Sequence, residues 1–388
     1  MQTVYTLLNK NTPVLDLEFK NQEYSVVYLT AVHNPEYAPL GVVNVAKNIS
    51  ESALHHWWQG RALPWQRSNL RSVFAHQPLD KYEGMVRSGA FSLSDQYWVR
   101  PRDEKLSWED ANYFTHPFSM MAGDLLYSFD KYDQEINWQQ FDFRSPDWTL
   151  GGNLRKRWRL QENKRVLQKG GGGYLNQEPF NEVIASQLLA DLNIYHVEYT
   201  MAPENEGNSS CLCENFITPV TELVTAFQMY SSVPRHSFQE VYESLLRALE
   251  YWQVTGYRQF LDEMLISDFL LANEDRDLNN FGFIRNVETL KFVGCAPLFD
   301  QGNSLWFNYA DCCVGYKPLA KPFASFPNEQ LDLVTSFDSF SMNKLADSEK
   351  IIKGVLQQNR LCSEERAERI FKGYVGRAIC LQDRKEQK

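Results

Sequence analysis

Leu270 to Trp306 reads LLANEDRDLNNFGFIRNVETLKFVGCAPLFDQGNSLW. The stretch starts at the end of an apolar helix pattern, Phe260 to Leu271. It drops into a polar loop, Asn273-Glu274-Asp275-Arg276-Asp277-Leu278-Asn279-Asn280. Phe281–Arg285 and Leu290–Cys295 then alternate like two strands of a hairpin, with Asn286 near the turn. Leu298-Phe299-Asp300-Gln301-Gly302 closes the pattern.

An Asp, an Asn five residues later, a strand pair and Asp-x-Gly follow the catalytic order of kinase-like phosphoryl transfer. In that chemistry an Asp takes or orients the acceptor hydroxyl's proton. The Asn and the second Asp hold magnesium, a hard cation that requires oxygen ligands. Asp275 is therefore the candidate base, and Asn280 and Asp300 are the candidate metal ligands. Each piece alone is weak, because Asn and Asp in polar loops cap their own backbone and Asp-x-Gly is a common turn. Their order around one hairpin, behind an apolar helix, carries the reading.

The chain has 388 residues, enough for roughly two or three domains. A hydrophobic fraction of 43% and ten tryptophans supply buried cores and exclude a disordered chain. Net charge is −10, which disfavours direct nonspecific binding of nucleic acid. No apolar run of roughly 18 residues is present, so no membrane span is expected, and no signal peptide is visible. Seven cysteines without a zinc spacing read as reduced thiols of a cytoplasmic protein.

Residues 1–135 form a first region. Val4–Leu8, Val14–Phe19 and Tyr24–Leu29 read as strands, with turns at Asn9–Pro13 and Asn21. Ser50–Trp58 reads as a helix with Ser50 as N-cap, and Asn69–Phe74 as another. Ser107-Trp108-Glu109-Asp110 has the form of a capping box. Trp57 with Arg61, and Trp98 with Arg100, form either a recognition surface or core aromatics with snorkelling arginines.

A second region, 136–217, contains Thr149-Leu150-Gly151-Gly152-Asn153-Leu154-Arg155-Lys156. Paired glycines let backbone amides approach an anion, and equally make a hairpin turn. Lys169 ends a strand and matches the order of a phosphate-contacting lysine. Gly170–Gly173 reads as a flexible connection, since no Gly-Lys-Ser/Thr follows. A helix starts near Gln177, with Pro179 in its first turn. Glu182 on it is the first candidate to pair Lys169, and Glu178 the second. Tyr195–Met201 and Ser210–Phe216 read as strands around a turn at 203–209. The third region, 218–388, is mainly helical: 241–252, 257–271, 328–337, 342–355 and 363–381, with a frayed tail from Asp383.

The assembled order, from about Ser145 to Trp306, resembles the HipA-like serine/threonine kinases, a bacterial family that includes toxin kinases. The resemblance implies an α+β, bilobal protein-kinase-like fold. It would have a β-rich N-lobe, a helical C-lobe and an N-terminal α+β accessory region. It implies ATP and Mg2+, a protein substrate, a partner antitoxin protein and transfer of the γ-phosphoryl to a Ser or Thr hydroxyl. Thr149 falls where the family has a phosphorylatable residue, Gly151, Gly152 and Lys156 in its glycine-rich loop, and Glu214 and Phe216 at its hinge. The match departs at Asp277, where the family commonly has His. Two other readings stand beside it: a small-molecule or lipid kinase, and a catalytically weak nucleotide-binding module.

Overall fold

A computed structural model of the chain describes residues 3–20, 23–67, 70–74, 80–127, 137–173, 175–203, 209–234 and 241–388. The turn expected at Asn21, the helix start at Asn69, the boundary at 135–136 and most of the turn over 203–209 lie outside the described residues.

The chain begins with β1 (Tyr5–Asn9), β2 (Thr12–Lys20), β3 (Glu23–Val32), α1 (Glu51–Arg61), α2 (Leu70–Phe74), α3 (Lys81–Arg87), β4 (Tyr97–Pro101), α4 (Trp108–Ala111) and α5 (Met121–Tyr127). There follow β5 (Lys156–Gln161), β6 (Lys164–Gly170), α6 (Glu178–Leu192), β7 (Thr200–Met201), β8 (Ser210–Glu214), β9 (Thr221–Thr225) and α7 (Ala226–Ser231). The last elements are α8 (Val241–Tyr251), α9 (Tyr257–Leu270), β10 (Gly282–Asn286), β11 (Phe292–Cys295), α10 (Pro327–Leu331), α11 (Ser348–Leu356) and α12 (Glu364–Gln387). They divide into two compact units, one of Met1–Leu167, Asn215–Ser237 and Ile284–Lys291, the other of Gln168–Glu214, Phe238–Phe283 and Phe292–Lys388. This division differs from the three expected segments 1–135, 136–217 and 218–388. The chain returns to the first unit because Phe216, Ile217, Leu223 and Ile284 pack into an aromatic cluster with Phe91, Trp98 and Trp108.

In the first unit an antiparallel sheet runs β3-β2-β1-β4. Tyr5 opposes Leu17, and Leu7 opposes Val99. Ser50 caps α1 by accepting from the Ala53 amide at 3.2 Å, and α1 packs on the sheet through Trp58, whose ring lies 5.1 Å from Phe19. Trp98 is core: it is 1% exposed, stacks on Phe91 at 4.9 Å and donates to the Lys10 carbonyl at 2.6 Å, while Trp57 is partly buried. Arg61 is buried, in a bidentate pair with Asp95 at 2.8 Å, which favours the core reading of that arginine. The Ser107 hydroxyl caps no α4 amide; it donates to Asp110 at 2.5 Å, which displaces the expected capping box. A buried pair, Arg285 to Glu222 at 2.6 Å, is completed by a bond from Arg285 to the Tyr97 hydroxyl at 3.2 Å.

In the second unit α6 is buried along nearly its whole length and ends at Asn193, whose left-handed backbone closes the helix. Only Thr200 and Met201 of the strand expected over 195–201 pair with β8; His196 bridges Leu298 instead. The helix expected over 328–337 stops at Leu331. Asp262 on α9 takes the amides of Thr335 and Ser336, at 2.8 and 2.9 Å, and holds that stretch in another path. The pattern over 342–355 splits into a 3-10 turn and α11. The tail expected to fray continues as helix to Gln387, anchored where Lys385 donates to the Phe340 carbonyl at 2.6 Å. No helix of the described residues is long and apolar enough to cross a membrane.

Asp147 gives the first unit a distinct pH response. Burial pushes its carboxyl up to about 6 from an ordinary 3.8, against the opposing bonds from the Trp158 amide and Ser145 hydroxyl, each 2.8 Å. A raised folded-state value stabilises below the unfolded value and is lost as pH rises through 6. Denaturant unfolding from pH 4 to 7 should show the wild type losing roughly 2 kcal/mol relative to Asp147→Asn over that range. A pH-independent difference would contradict this.

Candidate active site

The second unit gathers charged groups at the end of β6, the start of α6 and the segment after β11. Lys169 is buried, and its ammonium pairs with Glu182 and, at 2.6 Å, with Asp300. Burial alone would lower the lysine's pKa. The Asp300 and Glu182 carboxylates outweigh that and hold it well above the ordinary value. Glu182 also accepts from the Gln301 amide at 2.9 Å, so α6 holds both Lys169 and the residue that follows Asp300. Gly302 packs close to α6: a Cβ there would lie 3.3 Å from the Glu178 Cβ, a tight contact, and 3.5 Å from Glu182 Oε1, an ordinary one. Asp300 itself sits in the left-handed region, φ +63°. That conformation is tolerated best by Asn, Asp and Gly.

Glu178 does not pair Lys169. Its Oε1 accepts the amides of Gly172 and Gly173 at 3.1 and 2.7 Å. The glycine run is therefore tethered to the first turn of α6. At Gly171 a Cβ would meet Asn176 Oδ1 at 2.0 Å, so a side chain there would displace the Asn176 amide.

The loop of Asp275 is fixed by a residue that sequence reading passes over. Arg276 is fully buried and donates to Asp268 on α9 at 2.9 Å through both Nε and Nη2. Its Nη1 reaches the carbonyls of Asn280 and Phe299, at 2.7 and 2.6 Å. One guanidinium thus ties the helix, the loop and the residue before Asp300. Asn280 Nδ2 donates to the Asp275 carbonyl at 2.9 Å, which turns the amide so that its oxygen is the end presented as a ligand. Asp275 is part-exposed; Oδ2 accepts from Asn303 at 3.0 Å and Oδ1 from Lys321 at 2.8 Å. Asp268, Arg276, Asn303 and Lys321 all escape the sequence reading. Only Arg276 leaves a signal, as a cation enclosed by Asp275 and Asp277.

The donor set suits magnesium. Asn280 and Asp300 offer an amide oxygen and a carboxylate, the one or two protein oxygens that Mg2+ uses when phosphates complete its shell. Among the described residues no group of three or more His, Cys, Asp or Glu forms a separate metal cage.

The glycine-rich loop belongs to the first unit and forms its own group. Arg67, buried there with its guanidinium pushed down to about 10 by desolvation, donates to the carbonyls of Leu150 and Gly152 at 2.6 and 3.0 Å. Gly152 has φ +87°, with the Lys156 ammonium folded over it. The Thr149 hydroxyl is engaged at the Phe91 carbonyl, 2.8 Å away. Phe216 packs in the aromatic cluster, while Glu214 ends β8 on the surface. The passage from the second unit to the first falls between Glu214 and Asn215, whose amide donates to the Arg165 carbonyl at 2.8 Å.

No family model matches the chain, and no curated protein matches it in sequence. Among solved structures, the chain is similar to the HipA toxin of Shewanella oneidensis MR-1, from a complex with HipB and operator DNA. That likeness has a TM-score of 0.54 at 12% identity and covers 98% of this chain and 97% of the other. It is also similar to the Helicobacter pylori proinflammatory kinase CtkA, with a TM-score of 0.46 at 16% identity, over 60% of this chain and 94% of the other. The near full-length likeness to HipA shows the fold: a HipA-like, α+β, bilobal kinase fold.

Arg276→Met leaves Asp268 buried without its cation. Such a loss costs about 3–5 kcal/mol. Urea unfolding should show it, and a change below 1 kcal/mol would remove Arg276 from the centre of this loop.

Proposed function

We propose that the chain is an ATP- and Mg2+-dependent kinase that transfers the γ-phosphoryl of ATP to a Ser or Thr hydroxyl of a protein. The observation that carries this reading is Lys169 held between Glu182 and Asp300, beside a loop that Arg276 fixes around Asp275 and Asn280. A lysine that charges only at great cost in a buried site is kept charged by two carboxylates, ready for a phosphate. Asp275 orients the acceptor hydroxyl and takes its proton. Asn280 and Asp300 hold the metal, which when bound supplies positive charge against the phosphate oxygens. On the family resemblance alone, Gly151, Gly152 and Lys156 are assigned to phosphate binding, and Glu214 and Phe216 to the base. A partner antitoxin protein and a cytoplasmic location belong to the same proposal, by analogy with HipA and its HipB complex.

A second reading, a nucleotide-binding module without transfer, is favoured by one observation: both oxygens of Asp275 already have partners. Autophosphorylation at Thr149 requires its hydroxyl to leave the Phe91 carbonyl.

Labelled ATP with Mg2+ separates these readings. Transfer to protein by the wild type, lost in Asp275→Ala and Asp300→Ala, is the expected result. Tight ATP binding without ADP production would favour the module. ADP production that rises with metabolite extract and never labels protein would favour a small-molecule or lipid acceptor. A Thr149 phosphopeptide should be found after expression and be absent from Asp275→Ala; equal amounts in both would mean that another kinase placed it.

A further inference from the structure

Lys321 lies 46 residues beyond Asp275 in sequence, yet its ammonium reaches Asp275 Oδ1 at 2.8 Å. It is half exposed, so the contact is not forced by burial. Its backbone is held firmly nonetheless. Phe323, two residues on, packs its ring 4.9 Å from Tyr242 and 6.3 Å from Phe281, the residue that follows Asn280. The Phe323 amide donates to the buried Gln330 side chain at 3.0 Å, and the Ala320 amide to the Ser325 carbonyl at 3.0 Å. A solvent-facing lysine pays rotamer entropy for any fixed contact. Here an anchored loop delivers it to the one carboxylate placed for proton transfer. The hydrogen bond to Asp275, and the nearby charges of Asp275 and Asp277, raise its pKa, so the ammonium stays protonated there.

Resting on the kinase reading, we infer that Lys321 is a catalytic residue whose ammonium contacts both Asp275 and the phosphoryl group in transfer. Asp275 takes the hydroxyl proton as the acceptor oxygen bonds phosphorus. The bond from phosphorus to the bridging oxygen breaks, and its electron pair leaves on ADP. Asp275 and Asp277 would by themselves repel the phosphoryl oxygens; Lys321 is the cation the fold brings to that point. Its contact with Asp275 is then the resting position of a group that serves transfer, not a block on the base.

The test has two readouts. The first is acylation of lysines by an amine-reactive reagent, followed by peptide mass spectrometry, with and without Mg2+ plus a non-hydrolysable β,γ-methylene ATP analogue. The analogue should slow labelling of Lys321 several-fold and leave Lys372, exposed on α12, unchanged. The second is Lys321→Met. It should lower kcat by about 10²–10³-fold, the effect of losing one charge-stabilising donor, with a much smaller loss of nucleotide affinity. Lys321→Arg, which keeps the charge, should restore part of the loss. Analogue binding that leaves Lys321 labelling unaltered overturns the inference, as does a Lys321→Met enzyme as fast as the wild type. A wild type that binds no ATP fails the kinase reading itself, and the role of Lys321 falls with it.

Discussion

The buried ammonium of Lys169 is the constraint on which the second unit depends. Desolvation opposes charge on Lys169 and on its partner Glu182. The attraction between them offsets that cost only if the geometry is held. It is held by backbone: Gln301 donates its amide to Glu182, Gly302 allows α6 to approach, and Asp300 accepts a left-handed conformation. Replacing such a cluster with packed hydrocarbon is often neutral or favourable for stability. Its presence is better explained by what a positioned lysine and carboxylate can do than by what they add to folding.

Arg276 extends that constraint to the loop. Its fork geometry gives bidentate contact with Asp268 and leaves a third nitrogen for two carbonyls. A lysine could not make all of these bonds. Asn273 joins the same network, donating to Asp268 at 3.0 Å and to Gln301 at 2.8 Å. The end of α9, the Asp275 loop and the Asp-x-Gly turn are therefore one hydrogen-bonded body. Asp275 and Asn303, which lie on different arms of it, meet at 3.0 Å for this reason.

Local pattern made much of this legible. The loop, hairpin and Asp-x-Gly order follows from periodicity and turn residues, and β10 and β11 lie where alternation predicts. Glu182 could be named as the partner of Lys169 because a strand end and a helix first turn lie close in sequence. What stayed hidden is long-range. Nothing near Lys321 marks it, and Arg276 leaves only its place between two aspartates. The tail from Asp383 looked frayed because its residues are polar, yet the chain turns its lysines onto carbonyls. The glycine run looked flexible because glycine permits many paths; Glu178 selects one. Of the two readings open for Trp98, core or recognition surface, burial selects the core one, and Trp58 and Trp148 join it among the most buried side chains.

Charge balance bears on the proposed chemistry. Lys169, Arg276, Glu182, Asp268 and Asp300 hold one carboxylate more than cations. Asp275 and Asp277 add to that excess, and Lys321 returns one positive charge. ATP brings further negative charge. Like charges at a few ångströms repel by several kcal/mol when partly shielded from water. By this balance the proposed site would take a nucleotide together with a divalent cation, which Asn280 and Asp300 are suited to hold. On the kinase reading the metal is part of the binding equilibrium before it is part of the transfer. The lysines then act as the fixed positive charges that decide where the phosphates rest.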